Sequence, residues 1–142
     1  MATWTATNVL SGAVELPKYV EIGVVVEIYS VALTTALANG DTILGPVLPA
    51  GLYLQNLRVG ATSLDSGSTI AFEAGYTGAL GAFFTGSTVA RGATGGIQAA
   101  TLPATLGFTA ATNTQILVTI TAGATTPVAG TMTIEITYTA SP

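Results

Sequence analysis

Neither cysteine nor histidine occurs among the 142 residues. Without cysteine there is no disulfide framework and no thiolate metal site, so folding has to rest on packing. Without histidine the usual general base is missing, and neither a Ser-His-Asp nor a Cys-His arrangement can be assembled. Charge is almost as scarce, at 7% of residues where an ordinary soluble domain carries about 25%. The three cations, Lys18, Arg58 and Arg91, are scattered along a chain of net charge −4. Binding nucleic acid by charge neutralisation needs clustered Lys and Arg, so it is excluded. Long apolar runs are also missing: Gly, Thr, Asn or Pro breaks every candidate before the ~18 residues of a membrane span. Gly92 to Ile134 carries no formal charge, but its aromatics are too few for the two girdles of a membrane barrel. Met1 to Leu10 lacks a basic region followed by an apolar core, so no secretory signal is expected and the cytoplasm is the expected site of synthesis.

What remains is 49% apolar residues over a surface that Thr, Ser, Gly and Ala must supply. The length fits one domain, 1–142, that buries roughly 70% of its unfolded-chain surface. Few Lys and Glu side chains hold neighbouring molecules apart, so much of that surface is expected to be covered by other chains.

The hydrophobic pattern has period two. From Tyr19 to Leu33, Val20, Ile22, Val24, Val26 and Ile28 fall on one face and Glu21, Gly23, Val25, Glu27 and Tyr29 on the other, as in a half-buried strand. Asn39-Gly40 marks a tight turn, with Thr42 to Leu48 as a strand paired to what precedes it. After the Pro49-Ala50-Gly51 turn, Leu52 to Val59 alternates through Leu52, Leu54 and Leu57 with one slip, which reads as a bulge. Thr69 to Ala74 is a strand with Ile70 and Phe72 on its apolar face. Gly75 to Gly96 is punctuated by glycine and reads as a long loop anchored by Tyr76, Phe83 and Phe84, of a length that serves partner contact. Ile97 to Leu106 is ambiguous, and Phe108 to Ala111 reads as a short edge. Gln115 to Thr121 and Gly130 to Thr139 read as hairpin arms, with Met132, Ile134, Ile136 and Tyr138 inward. Seven or eight strands and no helix predict an all-β antiparallel sandwich, jelly-roll-like by preference, with an Ig-like arrangement as the alternative.

Chemistry-bearing groups are sparse. Glu21 and Glu27 share a strand face about 20 Å apart, too far for a glycosidase pair; Glu73 and Glu135 could meet across strands, but both sit at outward positions. Asp41 and Asp65 stand alone, so no calcium loop is expected. The run Gly86 to Gly96 lacks the lysine of a phosphate-binding loop. Its Arg91 could hold an anion, although an isolated solvated arginine is the plainer reading. Thr-x-Thr recurs without a fixed period, so no ice-binding solenoid follows. Trp4 either caps the core or anchors an extended arm, residues 1–14, in a neighbour. No cofactor and no catalytic residue is expected.

The texture of the chain, with Asn39-Gly-Asp-Thr-Ile-Leu-Gly-Pro-Val-Leu-Pro-Ala-Gly51 and Gly67-Ser-Thr-Ile-Ala-Phe-Glu73 spaced as sandwich strands, resembles the decoration or cement proteins of tailed bacteriophage heads. The resemblance covers most of the chain and lies in size, composition and strand texture rather than in a diagnostic motif. It implies a homodimer or homotrimer on the outer surface of the virion, made in the host cytoplasm. Such a protein binds the major capsid protein and braces the shell against packaged DNA. Candidate contacts are Trp4, Tyr76, Phe83, Phe84 and Arg91. A tail-fibre or receptor-binding module that grips host glycan is the alternative. A pilin-like or surface-layer subunit would need an export signal.

Overall fold

The computed structural model describes residues 3–5, 7–8, 25–100 and 108–140. Their regular structure is β throughout: β1 (Thr3–Thr5), β2 (Thr7–Asn8), β3 (Val25–Leu33), β4 (Thr42–Leu48), β5 (Leu52–Ala61), β6 (Ala71–Tyr76), β7 (Ala79–Ser87), β8 (Gly96–Ala99), β9 (Phe108–Thr109), β10 (Thr114–Ala122) and β11 (Gly130–Ala140). Eight of these are four residues or longer, and β1, β2 and β9 are short additions. No helix among the described residues is long and apolar enough to cross a membrane.

Two sheets form. Sheet I has the order β1-β4-β10-β6-β7; sheet II has the order β2-β3-β11-β5-β8, with β9 also on β5. The neighbours run antiparallel except for the parallel pair β1–β4. Along the chain β3 lies in sheet II, β4 in I, β5 in II, β6 and β7 in I, β8 in II, β10 in I and β11 in II, the wrapping of a jelly roll. The preferred topology is therefore the observed one.

Three expectations about pairing are corrected. β3 and β4 do not pair with each other, because β4 pairs with β10 and β3 with β11. β10 and β11 are likewise in different sheets. In both cases the connecting loop is long enough to cross the roughly 10 Å between stacked sheets instead of turning back in one sheet. The stretch read as a long Gly-rich loop is mostly strand: β6 and β7 form a hairpin around Thr77-Gly78, with Gly78 at φ 99°. Glycines and two register shifts in that pairing erased the period-two signal. The slip in β5 is indeed a bulge, since the register against β11 shifts between Asn56 and Leu54.

Between the sheets lie Leu33, Ile43, Leu48, Leu54, Leu57, Val59, Phe72, Ile116, Val118, Ile120, Met132, Ile134 and Ile136, all buried. The β3 face is the reverse of an assignment by bulk. Tyr29, Val31 and Leu33 point into the core, while Val26 and Ile28 are 57% and 45% exposed. Glu27 shares the inward face; it accepts hydrogen bonds from the hydroxyls of Tyr138, at 3.0 Å, and Tyr29. Burial, and then the hydrogen bond to Glu27 and its negative charge, push the Tyr138 phenol above its usual range, so Tyr138 remains a neutral donor. The expected strand residues 19–24 and the 9–14 part of the arm lie outside the described residues.

Four connections meet at one end of the sandwich: 34–41, 62–70, 88–95 and 123–129. Asp65 ties three of them together. Its Oδ1 accepts from the Gly67 and Thr126 amides at 3.0 and 2.9 Å, and its Oδ2 from the Thr69 amide, the Thr69 hydroxyl and the Ile70 amide at 3.1, 3.0 and 3.1 Å. The Asp65 backbone completes the tie by bridging to Arg91 and Pro127. Burial alone would raise the carboxyl's pKa, but the hydrogen bonds from Thr126, Ile70 and Thr69 outweigh it and hold the group well below the usual carboxylate range. At the opposite end Tyr76, Phe83 and Phe108 form an aromatic cluster. Tyr76 stacks on Phe108 at 5.0 Å between centroids, and Phe83 meets Phe108 edge-on at 5.5 Å, which clips β6 and β7 of sheet I to β9 of sheet II.

Candidate functional site

Placed in this fold, the sequence-derived contact residues separate. Phe83 and Phe84 are core side chains, 2% and 8% exposed, and not loop anchors, because β7 turns them inward; Phe84 packs edge-on against Phe72 at 5.9 Å. Tyr76 is half-buried in the aromatic cluster. Arg91 is half-buried, and its guanidinium is engaged within the chain. Its Nε donates to the Ile70 carbonyl at 2.6 Å and an Nη to the Thr69 carbonyl at 3.2 Å, which staples the 88–95 loop to the start of β6. The Trp4 backbone pairs with Ile43 in β4, and its side chain lies outside what is described. The arm's described part therefore pairs with its own chain: β1 extends sheet I and, two residues on, β2 extends sheet II.

Among the described residues, nothing in the arrangement assembles acid–base chemistry. Glu73 opposes Thr119 on the outer face of sheet I and Glu135 opposes Arg58 on the outer face of sheet II, so the two carboxylates face away from each other. Among the described residues no three of Asp, Glu, His or Cys gather where they could hold a metal ion.

The surface feature that stands out is the outer face of sheet II, which the sequence reading did not single out. β11 runs through its middle and presents Thr131, Thr133, Glu135, Thr137 and Thr139, side chains that suit an exposed pleat. In register beside them β3 presents Ala32, Ser30, Ile28 and Val26. On the other flank β5 presents Gly60, Arg58 and Asn56, followed by Ile97 and Ala99 of β8. Ile97 is 68% exposed, and among the described residues three of the five exposed large hydrophobics, Val26, Ile28 and Ile97, lie on this face. Among the described residues its charged groups are Arg58 and Glu135, which neutralise each other at 3.6 Å. Gly60, Gly96, Thr133 and Ile97 border a shallow, mainly apolar depression near one end.

A broad face of small, neutral side chains with a few apolar ones suits contact with another protein more than binding of a small ligand, which wants concavity and convergent polar groups. The signal was present in the sequence as outward Thr at alternate positions of β11. Its extension across β3, β5 and β8 depends on register.

Over most of its length the chain is similar to capsid components of phages. It shares 27% identity with a chain of the Cyanophage Pam1 capsid asymmetric unit, at a TM-score of 0.75, covering 96% of this chain and 98% of that one. With a chain of the capsid of Ralstonia phage GP4 it shares 25% identity at a TM-score of 0.73, covering 89% and 90%. These similarities support a phage-capsid-related protein. The similarity supports a structural role in a virion and points away from an enzyme. No family model matches the chain, and no curated protein does.

Proposed function

We propose that this chain is a decoration protein: it binds the outside of the major capsid protein shell, in contact with further copies of itself, and braces the head against the pressure of packaged DNA. The observation that carries the reading is the near-complete, two-way coverage with the Pam1 capsid chain, which means that a chain of this size and fold is a component of that capsid. The open, charge-poor face of sheet II is in keeping with such a role. Bracing a shell needs contact area across subunit seams, and about 1,200–2,000 Å² suffices for stable attachment. Of the residues first considered, the Trp4 segment and Tyr76 are proposed as shell contacts at the sandwich periphery. Phe83, Phe84 and Arg91 contribute by holding the shape of the contact surface.

The test is the copy number of the chain in purified virions and in heads stripped of tails, by quantitative mass spectrometry. Hundreds of copies on tail-less heads, in simple ratio to the major capsid protein, are expected. Loss of the chain with the tails would move it to a tail-fibre module, and its absence from particles would overturn both readings.

A further inference from the structure

We propose that two copies of this chain pack sheet II against sheet II, about a two-fold axis that runs along the strands between β11 and β5. The setting rests on the decoration reading, in which copies stand side by side on a shell, but the physical basis is the residue pattern of the face itself.

Directly opposite residues of antiparallel neighbours share one face of a sheet, so the pairings define rows across it. From β3 to β8 one row reads Ser30, Thr133, Gly60, Ile97 and the next Ile28, Glu135, Arg58, Ala99. A third reads Val26, Thr137, Asn56. A two-fold between the second and third places reads each row backwards against itself, as an isologous interface requires. Ser30 then meets Ile97 of the second copy, Thr133 meets Gly60, Glu135 meets Arg58, Ile28 meets Ala99 and Thr137 meets Asn56. Each pair sets a long side chain against a short one, a negative charge against a positive one, or two hydrogen-bonding groups together.

The pattern also selects the position of the axis. Moved onto β11, it would set Glu135 against Glu135; moved onto β5, it would set Arg58 against Arg58. Both bring like charges together at the centre of a contact. Aligned sheets pack at about −30°, so the axis lies within about 15° of the strands.

Area sets the strength. Two inner strands over eight residue steps at ~3.3 Å, and two outer ones over the three steps that β8 spans, at ~4.8 Å per strand, give a footprint of roughly 350 Å² per copy. About 700 Å² for the pair is below the size of a standard specific interface. The expected dimer is weak in dilute solution and favoured wherever copies are concentrated.

Sedimentation of the purified full chain from micromolar to millimolar concentration should show a monomer–dimer equilibrium. Arg58→Glu and Glu135→Arg should each weaken it more than about tenfold. An equimolar mixture of the two variants should restore it, because in the mixed pair every reversed charge again faces its opposite. The chain has no cysteine of its own, so Ser30→Cys and Ile97→Cys offer a test that leaves the charges native: a disulfide between copies is expected in the mixture and in neither variant alone. A monomer at millimolar concentration, a mixture of charge variants that stays monomeric, or a cross-link of Ser30→Cys to itself would overturn the proposal. Attachment to heads is measured separately. Heads that still bind a chain shown to be monomeric leave decoration standing without the dimer; a chain that dimerises and never attaches sinks decoration alone.

Discussion

The outer faces of the two sheets are built from similar residues and end in opposite states. On sheet I, Leu117 and Thr119 of β10 alternate with the core residues Ile116, Val118 and Ile120, yet both are 7% exposed. On sheet II the equivalent outward positions of β11 are partly open, and Val26, Ile28 and Ile97 beside them are exposed. The difference lies in Gly75, which opposes Leu117. A Cβ there would lie 2.1 Å from the Ala79 carbonyl oxygen and 2.5 Å from that of Leu80. The bulged start of β7 therefore folds onto the outer face of sheet I and covers it. Sheet II has no such return among the described residues. Outward alternation, then, does not by itself mean a surface residue; it means a residue that something else must cover or leave wet.

The largest effect expected from breaking this contrast is that of Gly75→Val. The obstructing atoms are backbone, so the cover must lift and stability should fall by at least about 3 kcal/mol in chemical denaturation, with new binding of an apolar dye as Leu117 is uncovered. Gly60→Ala on the open face is the control. There the nearest atom is the Thr133 hydroxyl at 2.7 Å, a side chain that can rotate away, so the cost should stay below about 1 kcal/mol.

Next comes the end that ties sheet I to the loops of sheet II. Asp65 is held below its unfolded pKa, so in acid the unfolded chain takes up its proton first. The stability from Asp65 is fully present above the unfolded value of about 4 and is lost as pH falls from there through the depressed folded value. Melting temperature followed from neutral pH to below pH ~2 should decline on that limb, and Asp65→Asn should lower the neutral plateau and flatten the decline. An unchanged acid limb in the variant would show that other carboxyls carry it.

The smallest effects compare one residue type on the two faces. Thr119 buries its hydroxyl without a hydrogen-bond partner, so Thr119→Val should stabilise by about 1 kcal/mol. Thr133→Val on the open face should change stability by less than about 0.5 kcal/mol. Equal values for the two would mean that the faces are equally wet.

Much of the architecture was legible. The alternation at Thr42 to Leu48, Leu52 to Val59 and Gly130 to Thr139 located β4, β5 and β11, and the slip between Leu54 and Leu57 located the bulge. The candidate site was less so. Tyr76, Phe83 and Phe84 drew attention as large rings in a glycine-rich stretch, but they pack inward once β6 and β7 pair. Arg91 read as solvated, because its acceptors, the carbonyls of Ile70 and Thr69, lie more than twenty residues upstream. The β3 strand shows the limit most directly. Val26 and Ile28 on one face and Tyr29, Val31 and Leu33 on the other are both apolar, and local pattern cannot choose between them.

By itself the sequence determined the chemistry that is absent, the β class and the surface poor in charge, because these follow from residue types and from a period of two that every half-buried strand must obey. Only the tertiary structure decided which sheet each strand joins, which face of β3 turns inward, where β7 folds back over Gly75 and how the rows of sheet II line up. Those choices depend on pairings between residues far apart in the chain. A shift of one residue in any of them exchanges the faces of the strand, while its composition stays the same.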